Sequence, residues 1–397
     1  MKKTLITAMM MLCLCGMLIA QTGTTQPAQP SNYLDPDAGT EANPYLISNL
    51  TNLRWLSEVS DDWWVNTTTQ VHFLQTADID ATETINWNEG QGFIPIHRPW
   101  FYWSFIGVYD GANYTINNLY ANRDDIDSNW NWGLFLNAIT SVFRNIILEN
   151  VNISGGFVGG IVGGATDSII DNCYTTGSFL SFTTSFSIPP ASIGGIAGII
   201  ENSTISNSHS TANMTISEDY LSNWIVIGGI VGIATDSSVD NCSFTGTISN
   251  DIHVAVNFIG GISGIMYSST FTNSHSTADI SGSADFAYIA GIVGGGGDDN
   301  IITNCYSTGD ITGLGTSVYV GGIVGGGGLQ PDYSFTITDS HSTGNIFGSS
   351  NTDSFSNIQI GGIVGRIDSG QISNCHSTGN ISSIYYTAHV GGIAGEI

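Results

Sequence analysis

Trp63, Trp64, Trp100, Trp103, Trp130 and Trp132 put flat apolar faces, each with a polar N–H, into one segment, which is the chemistry of a sugar-stacking surface. Carboxylate oxygens cluster at Asp124, Asp125 and Asp127 and again at Asp298 and Asp299, just after four consecutive glycines. Oxygen-rich sites of this kind suit a hard cation, so calcium is the cofactor to consider, with Asp35/Asp37 and Asp78/Asp80 as weaker versions. Each group also has a plainer use. Tryptophan commonly fills a capping core, and Asp is common in turns because its side chain bonds nearby backbone. Paired acids for glycoside hydrolysis would come from Asp298, Asp299, Asp310 and Asp339. A uronate lyase would need a cationic base, and the repeat region offers only Arg366.

These residues sit in a chain with a strong internal period. A β-branched residue, Gly-Gly-Ile, a small residue and Gly recur eight times, from Val158, Ile193, Ile227, Ile259, Ile289 (Ala290 replacing the first Gly), Val320, Ile360 and Val390. Between them runs apolar-x-Asn-x-x-x-Thr-(Gly/Ala), centred on Asn172, Asn207, Asn241, Asn273, Asn304, Asp339 and Asn374, with 31 to 35 residues between copies. A fixed period in this range marks a repeat architecture in which each unit buries its apolar face against its neighbours. The aligned columns are apolar and mostly β-branched: Ile161 to Ile393, Ile170 to Ile372, and Phe179 to Ile381. Such columns favour strands, whereas a helical solenoid would need long Gly-free stretches rich in Leu, Ala, Glu and Lys.

The expected fold is therefore all-β: a β-solenoid, a right-handed parallel β-helix of about eight coils. Identical columns would stack at roughly 4.8 Å. The Gly-Gly pair should bend the strand, because the apolar residues on its two sides lie three apart and face one core only if the chain turns between them. Cys173, Cys242, Cys305 and Cys375 alternate with Ser208, Ser274 and Ser340 after the Asn column. Neighbouring thiols would then lie two coils apart, roughly 9.6 Å, beyond disulfide reach. His209, His275, His341 and His376 share a column with Tyr174, Ser243 and Tyr306. A column tolerant of Tyr and Ser reads as a half-exposed ladder rather than a metal site.

Residues 1–20 combine Lys2 and Lys3 with an apolar run, Leu5–Ile19, too short for a membrane span, and read as an export signal cleaved after Ala20. Residues 21–32 are expected as a linker, 33–150 as a Trp-rich cap with the first coils, and 151–397 as the repeat solenoid. Ser48–Ser60 is the one helix candidate, capped by Ser48 or Asn49. The last unit, ending GGIAGEI, suggests a stack that continues beyond this chain. The net charge is −26, and without the signal no lysine is left, so nucleic acid is excluded as a partner. No transmembrane segment is expected after signal removal.

Gly39-Thr-Glu-Ala-Asn-Pro-Tyr-Leu-Ile, the Phe105–Leu119 stretch, Gly133-Leu-Phe and the repeated GGIVG and NCYSTG closely resemble bacterial surface proteins with GLUG motifs. The resemblance covers the chain from Tyr33 onward. It implies an exported or cell-surface β-solenoid and an adhesin-like role, and the motif also occurs in IgA-specific metallopeptidases. The His-Glu-x-x-His zinc helix of such a peptidase is absent. The expectation is a non-catalytic extracellular protein contacting a host or environmental glycan or protein, or cell-envelope components. A β-helical polysaccharide lyase or glycoside hydrolase is the alternative.

Overall fold

The computed structural model describes residues 25–64, 69–98, 104–122, 131–181, 191–216, 224–327, 334–350, 356–384 and 387–396. One coil shows the plan. Strand β1 (Val162–Thr166) turns a corner into β2 (Ile169–Asp171), a second corner leads to β3 (Tyr174–Ser181), and β4 (Ala191–Gly194) closes the circuit. Every strand pairs parallel with its counterpart one coil away. The result is a parallel β-solenoid with sheets of eleven, twenty-three and ten strands. The ten-stranded sheet exceeds the eight repeats by two coils, both from the Trp-rich segment, at Ser104–Phe105 and Phe135–Ile139.

The expected columns stack in register. Ile170 pairs with Ile205, then Val239, Phe271, Ile302, Ile337 and Ile372. The Phe179 column runs through Met214, Ile248, Ile280, Ile311, Ile346 to Ile381. With the Ile161 column these residues form one continuous core down the axis. Burying a side chain of this size contributes roughly 1.5–3 kcal/mol, and each coil adds several.

The bend appears at the glycines. β4 ends at Gly194 and the next strand begins at Ala197, so the chain turns at Gly195-Ile196. In five coils the second Gly of the pair, or Gly291 after Ala290, lies against a Ser side chain of the neighbouring strand: a methyl on Gly322 would meet the Ser342 side chain and the Gly362 carbonyl. At the first Gly one coil already has Ala290, fully buried.

Each coil also has two tight corners. At one, Asn145, Asn172, Asn207, Asn241, Asn273, Asn304, Asp339 and Asn374 all take left-handed φ between 49 and 55°. Asn and Asp tolerate this region better than other side chains. From Asn172 onward the next residue is Ser or Cys, and it accepts the N–H of its counterpart in the preceding coil. Cys173 N–H donates to Ser208 Oγ (3.1 Å) and Cys242 N–H to Ser274 Oγ (3.1 Å), while Ser208 N–H reaches Cys242 Sγ. The four cysteines are free, and burial pushes the Cys173, Cys242 and Cys305 thiols up to about 12. The other corner repeats the device: Ser141, Ser168, Ser203 and Ser237 each donate their N–H to the next hydroxyl in a row ending at Ser269.

At the N-terminal end, α1 (Leu50–Glu58) covers the first coils, and Asn49 caps it by accepting the Asn52 N–H at 3.0 Å. It is shorter than Ser48–Ser60 because the chain tightens into a 3-10 turn at Ser60–Asp62. Its Trp55 packs with Tyr45, Trp63, Phe73 and Phe105 in one aromatic cluster, pairs edge to face or tilted with centroids 5.4–5.9 Å apart. Residues 25–32, expected as linker, instead lie on this cap: Ala28 N–H donates to Thr51 O, and Asn32 holds Pro44 O and the Leu46 N–H.

Two outcomes follow from the corners and the bend. Ser208→Ala, which orphans the buried Cys173 N–H, lowers unfolding free energy by about 1–3 kcal/mol in urea titration, and Cys242→Ser costs less. Gly322→Ala overpacks the bend and costs about 1–3 kcal/mol by the same measurement, with folding retained.

Candidate functional site

Because successive side chains of a strand point to opposite faces, residues i, i+2, i+4 and i+6 from each Asn corner share the outer face. Stacking coils turns those four positions into four rows. The first is the Asn/Asp corner row. Next comes Tyr174, His209, Ser243, His275, Tyr306, His341 and His376. Then comes Thr176, Thr211, Thr245, Thr277, Thr308, Thr343 and Thr378, and last Ser178, Asn213, Thr247, Asp279, Asp310, Asn345 and Asn380. All four rows are half-buried to exposed.

The rows are tied along the axis. Asn172 Nδ2 donates to Asn145 Oδ1 (2.8 Å), Asn241 to Asn207 (2.8 Å) and Asn304 to Asn273 (2.7 Å). In the fourth row Asp310 N–H donates to Asp279 Oδ1 and Asn345 N–H to Asp310 Oδ1, both at 2.8 Å. The rings of the second row lie nearly parallel: Tyr174–His209 at 5.5 Å, His275–Tyr306 at 4.5 Å, Tyr306–His341 at 5.2 Å and His341–His376 at 4.9 Å. Ser243 interrupts the stack and meets His209 Nδ1 at 2.5 Å. Burial lowers the pKa of His209, His275 and His341, helped by the neighbouring His209 for His275 and His376 for His341. The expected half-exposed ladder is thus present.

The Gly-Gly bend makes a second feature, a re-entrant groove on the outside. Its floor is Val226, Phe258, Ile265, Tyr288 and Tyr319, an apolar cluster separate from the main core. Phe258, Tyr288 and Tyr319 stack at 4.7 and 4.8 Å. A recess of about 180 Å³ beside the first coils is lined by Ser104, Asn131, Asn137, Gly164, Thr166 and Glu201, among others. A larger one, about 410 Å³, lies against α1 between Glu58, Asp61, Asn88 and His97.

The residues singled out by sequence fall elsewhere. Trp63 is fully buried with its N–H donated to Leu56 O, Trp132 is 5% exposed, and Trp64 is half-buried under the Arg98 guanidinium. Their faces are covered by protein, so Trp63 and Trp132 serve the core and offer no platform to a sugar. Trp100, Trp103 and Trp130, like Asp124, Asp125 and Asp127, lie outside the described residues. Asp299 takes a left-handed corner (φ 57°), equivalent to Asp167 and Asp236, and Asp298 stands exposed before it. Asp78 accepts the Thr115 N–H and Asp80 the Thr82 N–H, so both serve backbone. Among the described residues no three His, Cys, Asp or Glu side chains converge as a metal site, and no helix is long and apolar enough to cross a membrane.

Residues 225–249 and 356–382 match the GLUG motif. The chain carries GLUG motifs. Over 177 residues, 44% of its length, it is 33% identical to halomucin of Haloquadratum walsbyi. Over 227 residues it is 26% identical to an immunoglobulin A1 protease of Streptococcus sanguinis. The matched stretches are only 2% and 11% of those two proteins. A candidate immunoglobulin A1 protease from Bacteroides ovatus, known as a crystal structure, shares the fold over 87% of this chain and 86% of its own, with TM-score 0.51 and 20% identity.

The groove aromatics escaped the sequence reading of this GLUG solenoid. Their signal was the residue before each Ile/Val-Gly-Gly, where Phe258, Tyr288 and Tyr319 follow one another.

The histidine row gives a pH dependence with a definite sign. A lowered pKa means the folded chain holds neutral imidazole, so the contribution is complete above the unfolded value of about 6.5 and is lost as pH falls from there through the folded pKa. Comparing His341→Tyr with the parent, the variant loses less thermal stability between pH 7.5 and pH 5, read as the change in Tm.

Proposed function

We propose that the chain is an exported, non-catalytic solenoid displayed at the cell surface, where its four-row polar face adheres to an extended partner. That partner is a glycan or protein of a host or environmental surface, or a cell-envelope component. One observation carries the reading: imidazole or phenol, hydroxyl and amide groups recur in register from Asn172 to Asn380, with Ser243 and Asp339 as the exceptions in their rows. Weak contacts repeated along a rigid rod add through high effective concentration, so no single pocket is needed. The outer carboxylates support this, because Asp171, Asp240 and Asp310 accept hydrogen bonds from the neighbouring coil instead of pairing across a cleft. Export is supported by the basic and apolar residues of the N-terminus, and the acidic surface suits a rod that must stay dispersed.

Adhesion of the full chain, immobilised on beads, to mucin-, cell-wall- and matrix-coated surfaces tests the reading. The variant Tyr306→Ala/Thr308→Ala/Asp310→Ala removes three rows in one coil and should lower bead retention several-fold with an unchanged circular dichroism spectrum. Equal retention would overturn the role of the face. Release of reducing ends or unsaturated products from any polysaccharide would overturn the non-catalytic assignment.

A further inference from the structure

The re-entrant groove carries a second site on a different face. Trp224, Val256 and Phe286 stand directly over one another on adjacent strands, and Val226, Phe258 and Tyr288 form the parallel row two residues on. The inner row is closed: Phe258 and Tyr288 are 2% and 5% exposed, stacked ring on ring. The outer row is open at alternate rungs, with Trp224 37% and Phe286 41% exposed and Val256 buried between them. Two rungs separate the open rings, roughly 9.6 Å. On the other strand bounding the groove Tyr267, two residues beyond Ile265, is 41% exposed.

The backbone under these rings is shaped for them. A methyl on Gly295 would come within 2.6 Å of the Phe258 ring, and one on Gly297 within 2.5 Å of the Tyr267 ring. Glycine at both places lets the rings lie flat on the chain. Toward the C-terminal end the outer row turns polar, with Ser317 and then Asn357, whose Nδ2 donates to the Tyr319 hydroxyl at 3.2 Å.

We infer that this groove binds an uncharged linear polysaccharide lying along the rod, with Trp224 and Phe286 as stacking platforms, Tyr267 on the opposite lip and Ser317 and Asn357 as hydrogen-bonding groups. Apolar ring faces interleaved with hydroxyl and amide match the C–H faces and hydroxyl edges of pyranoses. Platforms on alternate rungs meet every second sugar of an extended chain. The net charge of −26 works against polyuronates and sulfated glycans. An apolar peptide would want a contiguous patch, and the open rings are separated by buried Val256.

The proposal extends the adhesive reading but uses other residues, so the two fail separately. The full chain is mixed with insoluble cellulose, chitin, mannan and β-1,3-glucan, with immobilised polygalacturonate as the charged arm, and the depleted fraction is measured. Retention is expected on at least one neutral polymer, at least tenfold weaker for Trp224→Ala and for Phe286→Ala, and largely restored by Trp224→Tyr. The Tyr306→Ala/Thr308→Ala/Asp310→Ala variant should keep this binding. Retention on no neutral polymer, retention on polygalacturonate alone, or equal binding by Trp224→Ala and Phe286→Ala would each overturn the site. If either alanine variant unfolds early by circular dichroism, Trp224→Tyr against Trp224→Gln decides: equal loss in both also overturns it.

Discussion

The capture of corner N–H groups by a Ser or Cys side chain one coil away, with Asn300 taking that part for Ser269, is the constraint on which the rest depends. A parallel sheet satisfies its backbone only while the strands run; at a corner the chain leaves the ladder and its buried N–H needs another acceptor. Ser203 Oγ takes the Ser168 N–H and gives its own proton to Glu201 O at 2.7 Å, closing both needs with one small hydroxyl. Cysteine does the same where it replaces Ser, with Cys242 Sγ 3.3 Å from Asp240 O. The corner can then be sharp and dry, and the apolar columns on each side keep their register.

Register has a consequence for the surface. Once Ile170 must sit over Ile205 and Phe179 over Met214, the residues between them are also forced into rows, whatever their chemistry. Asn stacks on Asn and imidazole on phenol, at spacings set by the coil and not by the side chains. Periodicity of the exterior is therefore a by-product of the core, and adhesion through many weak contacts is a use to which such an exterior lends itself. Catalysis asks the opposite, a few unlike groups converging at one place.

This logic also explains which parts were legible in the sequence. Columns, bend, free thiols and the His/Tyr ladder follow from a period, and a period can be counted. Nothing in the spacing tells whether Trp63 faces out or in, because the cap does not repeat; its burial depends on how α1 lies across Tyr45 and Phe73. The second corner was missed for another reason. Thr140, Asp167, Asn202, Asp236, Ser268 and Asp299 share a left-handed φ of 46 to 57° but no side-chain type, so only the residue after each, Ser at five of these corners and Asn300 at the sixth, betrays the column. Phe258, Tyr288 and Tyr319 were hidden because an aromatic beside a buried Ile reads as core until the bend shows that the two face opposite ways.

The groove and the core have a common origin in the glycine pairs. At Gly195 and Gly229 the chain turns so that the isoleucines three residues apart on its two sides, Ile193 and Ile196, then Ile227 and Ile230, all reach the interior. The same turn leaves a concave angle outside, and a concave angle is where outward side chains can bury each other. In the coil where that position is Ser192 little is gained, and Val226 adds an aliphatic end to the cluster; where it is Phe258, Tyr288 or Tyr319 the angle fills with stacked rings, and Gly295 and Gly326 thin the facing strand to admit them. Outward residues one step farther out, Trp224 and Phe286, then stand on an apolar footing that holds them in place. A change at a Gly-Gly pair would thus disturb the groove through the backbone, whereas a change at Trp224 leaves the interior columns untouched.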